Sequence, residues 1–125
     1  MSKTMLEILA SDLAKNYPEE LQDAEVYQAK LLRALDRGSK LYRQGDTLFV
    51  VHGEEWHSCH GGSGAELVRA CNAFFRQLKA EGVQHIATRY DNPKVSVLAA
   101  HAEFKATVAQ INEGKYKTFK LSVEL

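Results

Sequence analysis

Three potential metal ligands and several glycines stand close together in the segment HSCHGGSGAEL, residues 57–67. His57, Cys59 and His60 can each bind zinc, and on a strand the first two would share one face while His60 opposed them. A closed zinc site needs four ligands, commonly in spaced pairs. The histidines and cysteines further along the chain stand alone: Cys71, His85 and His101. We therefore expect no metal here and interpret the segment as a glycine-rich turn that leads into a helix.

Composition excludes several classes of function. The 125 residues are enough for one domain, 1–125, with a single core. The 16 basic and 16 acidic side chains cancel, so no overall field attracts nucleic acid or an anionic membrane. No apolar run approaches the roughly 20 residues that a membrane span needs, and acidic residues interrupt the region where a signal peptide would be apolar. We expect a cytoplasmic protein whose cysteines are reduced.

The first 37 residues are predicted to form an N-terminal pair of helices. The first, over 4–16, carries apolar residues at helical spacing. The second is predicted over 18–37, because Pro18 cannot continue a helix but fits the first turn of a new one. We expect the pair to pack through four leucines: Leu9, Leu13, Leu31 and Leu35.

The remaining residues, 40–125, alternate strands with helices. A Gly45-Asp46 turn joins two predicted strands, and a short strand over 54–58 precedes the glycine-rich turn. A helix over 64–81 follows, and its predicted buried face consists of Leu67, Cys71, Phe74 and Leu78.

Three more strands and another helix complete the predicted order. A strand over 83–90 precedes a helix over 92–105, with Asn92 as its cap and Pro93 as its first residue. Two strands follow, joined by a turn at 112–114. This order predicts an α/β domain in which a mixed sheet has helices on both faces.

Element order and two short motifs resemble the GCN5-related N-acetyltransferase (GNAT) superfamily, an acyl-CoA-dependent fold. The family's pyrophosphate loop reads Gln/Arg-x-x-Gly-x-Gly/Ala before a helix, and CHGGSGAEL places Gly62 and Gly64 at its small positions. The family's next helix opens with Asn-Pro and contains Leu-Tyr-x-x-x-Gly-Phe. The segment NPKVSVLAAHAEF matches that helix in length and at Asn92, Pro93, Leu98 and Phe104. The resemblance covers about 40–125 and implies a GNAT-like, mostly antiparallel sheet after two helices.

The resemblance also implies acetyl-CoA as the cofactor. Its diphosphate would lie against unpaired amides at the start of a helix, where the helix dipole favours an anion. The implied cofactor-binding residues are Gly62, Ser63, Gly64, Ala65 and Asn92. Acetylation of an amine needs a base and an acid. Candidate bases near the third strand are Glu54, Glu55 and His57, and Tyr90 is the candidate acid.

The sequence departs from the family pattern at several positions. Cys59 stands where the family has Gln or Arg, and Ala99 stands where a tyrosine donates a proton to the CoA thiolate. Glu103 replaces a glycine, and the family's first strand has no counterpart. Two functions therefore remain open: an active N-acetyltransferase, or a catalytically degenerate GNAT-fold protein that serves as a structural or interaction component. The second would involve protein partners or a homo-oligomer, and by analogy with small divergent phage proteins it would suit a virion.

Overall fold

The computed structural model describes residues 3–16, 23–90, 95–113 and 116–125. Its elements, in chain order, are α1 (Met5–Asn16), α2 (Ala24–Asp36), β1 (Lys40–Gln44), β2 (Thr47–His52), β3 (Glu55–His60), α3 (Gly64–Ala80), β4 (His85–Tyr90), α4 (Val95–His101), β5 (Lys105–Glu113) and β6 (Tyr116–Glu124). The predicted order of helices and strands is confirmed.

One sheet of six strands, in the order β1-β2-β3-β4-β6-β5, forms the centre of the fold. Neighbouring strands are antiparallel, except that β3 and β4 are parallel. Short turns at Gly45-Asp46 and Gly53-Glu54 join the first three strands and fix a register in which Val50 lies opposite His57. The predicted mixed, mostly antiparallel sheet is confirmed.

The larger core lies between the sheet and α3. Phe74 stacks on Phe49 of β2, with ring centroids 4.1 Å apart and the planes 9° from parallel. Trp56 of β3 packs edge-on against both Phe74 and Phe75. The predicted inner face of this helix is confirmed for Phe74, Leu78 and Cys71, which are buried, whereas Leu67 is half-buried.

A second, smaller cluster lies between α1, α2 and the opposite face of the sheet, so helices cover both faces. Its buried members are Ile8, Leu9, Leu31, Leu48 and Cys59. The predicted packing of the two helices is confirmed for Leu9, Leu13 and Leu31, which are all buried. Leu35 is only half-buried, and Ile8, which is fully buried, belongs to the packed face of α1 as well.

The second helix begins later than predicted. Asp23 has an extended backbone, with φ −70° and ψ 128°, and its carboxylate accepts a hydrogen bond of 2.9 Å from the amide of Glu25. An N-cap aspartate of this kind satisfies an otherwise unpaired amide of the first turn. The helix therefore starts at Ala24 and not at Pro18, which itself lies outside the described residues.

The fourth helix ends earlier than the predicted limit at 105, because the buried amide of Asn72 caps it. The Nδ2 of Asn72 donates to the carbonyl of His101 at 3.1 Å, and its Oδ1 accepts from the amide of Glu103 at 3.0 Å. These two bonds occupy groups that a further helical turn would need, so α4 ends at His101.

The predicted turn at 112–114 is also misplaced. β5 continues through Asn112 and Glu113, because both residues pair with β6 in an unbroken antiparallel ladder. Gly114 lies outside the described residues, as does the Asn92-Pro93 start that was predicted for α4. In the described ranges, no helix is long and apolar enough to cross a membrane.

Leu31 and Leu32 provide a matched test of the α1–α2 packing. Leu31→Ala should lower the free energy of unfolding by about 2 to 5 kcal/mol, because it removes a buried side chain from the smaller cluster. Leu32 is 47% exposed, so Leu32→Ala should change stability by only about 0.5 kcal/mol. Urea denaturation followed by circular dichroism measures both, and equal losses would contradict the packing.

Candidate functional site

The parallel strands β3 and β4 pair at one position and then separate. Glu55 lies opposite Ala87, and the amide of Ala87 donates to the carbonyl of Glu54 at 2.8 Å. Beyond this pair the connection is made by a side chain: the hydroxyl of Thr88 donates to the carbonyl of Trp56 at 2.8 Å. We call the line between the two strands the β3–β4 seam. Its opening leaves backbone polar groups of both strands without sheet partners across the gap.

The glycine turn, residues 61–63, connects β3 to α3, and His60 anchors it. The Nε2 of His60 lies 2.6 Å from the carbonyl of Ser63 and must carry the hydrogen, because a carbonyl only accepts. Its Nδ1 lies 2.7 Å from the hydroxyl of Thr47, and its backbone amide donates to the carboxylate of Asp12 at 3.1 Å. Both ring nitrogens of His60 are thus engaged in holding the turn.

Two lysines near or within α1 also hold the glycine turn. The ammonium of Lys3 donates to the carbonyl of Gly61 at 2.6 Å, and that of Lys15 donates to the carbonyl of Gly62 at 2.8 Å. Since Lys15 is exposed, its charge lies at the surface beside the turn. Both lysines therefore fix the turn from the α1 side.

Gly62 and Gly64 differ in the space that a side chain would find at each position. Neither has a positive φ, so no left-handed conformation requires glycine at these two positions. A side chain on Gly62 would collide with the carboxylate of Glu66, whereas one on Gly64 would meet open space. Ser63 is the N-cap of α3, and its hydroxyl accepts from the amide of Glu66 at 3.3 Å. Glu66 therefore places a negative charge over the glycine turn.

A cavity of about 540 Å³ opens between the first turns of α3 and the length of α4. Its lining is almost entirely apolar: Gly64, Ala65, Leu67, Val68, Tyr90, Val95, Val97, Leu98 and His101. Of the predicted cofactor-binding residues, Gly64 and Ala65 line it, and Gly62 and Ser63 belong to the adjoining turn. Asn92 lies outside the described residues.

Tyr90 lies where the cavity meets the β3–β4 seam. Its hydroxyl is 2.8 Å from the hydroxyl of Ser58, which joins the two strands across the gap. Burial raises the pKa of the Tyr90 phenol above its ordinary value, so it keeps its proton at neutral pH. Ala99, at the family's tyrosine position, packs against the main core and is absent from the cavity lining.

On the opposite face of β3, Tyr27 of α2 joins His57 and Cys59. The Tyr27 hydroxyl lies 2.9 Å from Nε2 of His57 and 3.4 Å from Sγ of Cys59. The side chain of His57 is exposed, yet the protein around its ring disfavours the imidazolium by desolvation and lowers its pKa, against an opposing effect of Asp12. Burial raises the pKa of Cys59 to about 11, so it remains a thiol.

Glu55 and His57 line a groove of about 310 Å³ on this face, which we call the acceptor-side groove. Its lining consists of Val50, His52, Glu55, Trp56, His57, Thr88 and Arg89. Glu55 accepts from Nε of Arg89 at 3.2 Å, and both side chains are exposed. Glu54 lies in the preceding turn and is not part of the lining. The candidate bases Glu55 and His57 therefore lie on one face of the seam, and Tyr90 lies on the other.

The predicted split of the His/Cys segment is confirmed: His57 and Cys59 share a face and His60 opposes them. Among the described residues, no group of three or more metal-binding side chains is arranged around one point. Sequence reasoning missed Asp12 and Tyr27. Asp12 carried a signal, because it is an acidic residue on the apolar stripe of α1 and is only 4% exposed.

No protein-family model matches the sequence, and no curated protein matches it. Among solved structures, the crystal structure of a ribosomal-protein-alanine N-acetyltransferase from Brucella melitensis aligns with a TM-score of 0.59. The alignment covers 100% of this chain and 98% of that chain, at 12% identity. The chain therefore has a GNAT-like fold, as its motifs predicted, and at this identity the likeness concerns the fold alone.

The environment of His57 has a measurable consequence. Its ring should titrate below the ordinary value of about 6.5 in an NMR pH titration, since the folded protein disfavours the charged form. Folding then becomes less favourable as pH falls from about 6.5 through the lower pKa of the folded state, because the unfolded chain binds the proton more readily. His57→Gln should flatten that part of the stability curve. A ring that titrates at or above 6.5 would contradict this account.

Proposed function

We propose that this protein binds an acyl-CoA and transfers acetyl from acetyl-CoA to an amine. The observation that carries the proposal is the opening of the β3–β4 seam beside the glycine turn and an apolar cavity of about 540 Å³. Such a cavity suits the long arm of an acyl-CoA, and the unpaired amides of the first turn of α3 suit its diphosphate. The GNAT-like fold supports this use of the site.

The residues present fit the phosphate end of the ligand by a route that differs from the family motif. Cys59 is 1% exposed and bonds to Tyr27 on the other face, so it is no substitute for the family's Gln or Arg. Lys15 holds the carbonyl of Gly62 at 2.8 Å and offers an exposed cation beside the turn. We assign to Lys15 the neutralising charge, with Gly64 and Ala65 as the amide donors.

Bound acetyl-CoA supplies the acyl group, and side chains on the two faces of the seam would handle the protons. His57, neutral because its pKa is lowered, would accept a proton from the amine in the acceptor-side groove. The amine nitrogen would bond to the acyl carbon as the carbon–sulfur bond breaks. Tyr90, which keeps its proton, would donate it to the departing sulfur from the cavity side. Glu55 would orient the acceptor through its exposed carboxylate.

The acceptor we propose first is the α-amine at a peptide N-terminus. The similar solved structure is described as an N-acetyltransferase of a ribosomal protein's alanine, and the acceptor-side groove is open enough to admit a chain end. An α-amine has an ordinary pKa of about 7.7 to 8.0, so a neutral imidazole is a sufficient base for it.

A second function is favoured by one contact. The hydrogen bond between Ser58 and Tyr90 ties the strands together at the seam, where the acyl arm would have to pass. If it persists in the presence of acetyl-CoA, the chain is a degenerate GNAT-fold protein that contacts other proteins, with exposed Val26 and Leu32 on α2 as candidate contact residues. The predicted homo-oligomer and phage origin stay predictions.

Calorimetry with acetyl-CoA, followed by mass spectrometry of a peptide that begins with alanine, separates these functions. Binding together with a gain of one acetyl group supports the transferase. Binding without transfer supports the degenerate form. The absence of heat and of thermal shift at millimolar acetyl-CoA refutes the cavity as an acyl-CoA site and also favours the degenerate form.

Two substitutions at the start of α3 should act in opposite directions on acetyl-CoA affinity. Gly64→Val should abolish measurable binding with little change in stability, because its side chain enters the cavity yet meets no protein atom nearby. Glu66→Gln should strengthen binding by about two- to fivefold, since it removes a negative charge beside the helix N-terminus. Unchanged affinity in both variants would place the diphosphate elsewhere.

Tyr90→Phe tests the acid. It should lower kcat by about 100-fold or more while KM for acetyl-CoA stays nearly constant, because phenylalanine keeps the cavity lining and loses only the hydroxyl, with its proton and its bond to Ser58. The matched control is Tyr42→Phe, since Tyr42 is a buried tyrosine that packs against Phe74 of α3 and bonds to Glu81. A Tyr90→Phe protein with full kcat would exclude this role.

A further inference from the structure

The C-terminal half of α2 forms one wall of a cavity of about 420 Å³ whose charged groups are basic. Lys30, Arg33 and Arg37 lie at helical spacing on one side of this cavity. The opposite side is formed by Ser39 and His52, whose hydroxyl and Nδ1 are 3.3 Å apart. We call these five residues the cationic pocket.

Within the described residues, no salt bridge neutralises the three cations of the cationic pocket. In the described ranges, neither a carboxylate nor a carbonyl lies within bonding distance of their head groups, and Asp36 beside them forms no ion pair. Three other arginines are paired: Arg43 with Asp46, Arg76 with Glu103, and Arg89 with Glu55. Among the described residues, Arg69 of α3 likewise forms no ion pair, but no second arginine lines the cavity beside it. Like charges this close on a helix destabilise it, so an anion in the pocket would relieve a cost that the free protein bears.

Stabilisation of the helix dipole accounts for only part of this arrangement. Arg33 lies in the last turn of α2 and Arg37 is its C-cap, where a cation is favourable. Lys30 lies in the middle of the helix and gains little from the dipole. The dipole also does not explain why all three surround a concave space closed by a hydroxyl and an imidazole.

The cationic pocket adjoins the acceptor-side groove, because His52 lines both. His52 lies opposite Glu55 in the β2–β3 ladder, and His57 lies opposite Val50, two residues further along. Strand geometry then puts the backbone of His52 about 8 Å from that of His57. An acceptor whose amine meets His57 could therefore place a second group in the cationic pocket two or three extended residues away.

We infer that the cationic pocket binds an anionic group, a carboxylate or a phosphate, of the same molecule whose amine is acetylated. The reaction in this inference rests on the proposed transferase, whereas the binding of an anion in the cationic pocket does not. Arg33 and Arg37 supply planar donors suited to either anion, Lys30 adds a point charge, and Ser39 adds a hydroxyl. The acceptor class is thus an amine with acidic groups near it, such as a peptide N-terminus followed by acidic or phosphorylated residues.

Binding alone is tested first, without acetyl-CoA, by NMR titration of the full chain with inorganic phosphate at constant ionic strength. Side-chain signals of Arg33, Arg37 and His52 should shift in a saturable manner. The double variant Arg33→Gln/Arg37→Gln should weaken this binding by about tenfold or more, through loss of charge-assisted hydrogen bonds. Arg69→Gln, on α3 at the other face of the sheet, is the matched control and should leave it unchanged. The inference is overturned if phosphate shifts the signals of all arginines equally. It is also overturned if the double variant binds phosphate as tightly as the unchanged protein.

The acceptor is then tested with three peptides that begin with alanine and carry glutamate, phosphoserine or glutamine at the third and fourth positions. The two acidic peptides should exceed the glutamine peptide by about tenfold in kcat/KM, and the double variant should abolish that preference through KM. The ratio between glutamate and phosphoserine identifies the anion. Equal kcat/KM for all three overturns the inference. If no peptide is acetylated, the proposed transferase fails. The anion site is then supported if NMR shows that the acidic peptides bind in the cationic pocket, and refuted if they do not.

Discussion

The single paired position between β3 and β4 is the constraint on which the candidate site depends. Parallel strands that stayed paired to their ends would close the sheet between the cavity beside α3 and the acceptor-side groove. Because the ladder stops after Glu55 and Ala87, the ends of both strands diverge around a gap that only side chains cross. In the proposed reaction, an acyl donor on one face and an amine on the other would meet at this gap, with His57 and Tyr90 on opposite sides.

Local patterns were sufficient for the order of elements, because each strand and helix carries its own periodicity. They failed where a partner distant in sequence decided the boundary. Asn72 ends α4 from another helix, and the ladder with β6 carries β5 through Asn112. Tyr27 could not have been assigned to the site, since its bond to His57 depends on how α2 packs on the sheet. Candidate residues next to the glycine motif were predictable because the motif itself fixes their spacing.

The alternation of side chains along β3 explains why a segment rich in ligands need not form a metal site. His57 and Cys59 point to α2 and meet a phenol, while His60 points to the opposite side and holds a hydroxyl and a carbonyl. The same chemistry that makes these side chains good ligands makes them good hydrogen-bonding partners. One strand thereby supplies a candidate base to one face and a structural anchor to the other.

Three hydrogen bonds, from Lys3, Lys15 and the Asp12–His60 pair, tie the first helical region to the glycine turn. The turn can open only when these bonds break. The backbone amides of α1 and of the turn should therefore be protected from hydrogen exchange to a similar degree. Any ligand that closes the turn would by linkage stabilise α1 on the far side of the sheet. Substitutions elsewhere in α1 than Lys15 would therefore alter occupancy of a site that they do not touch, because they act through the stability of the helix.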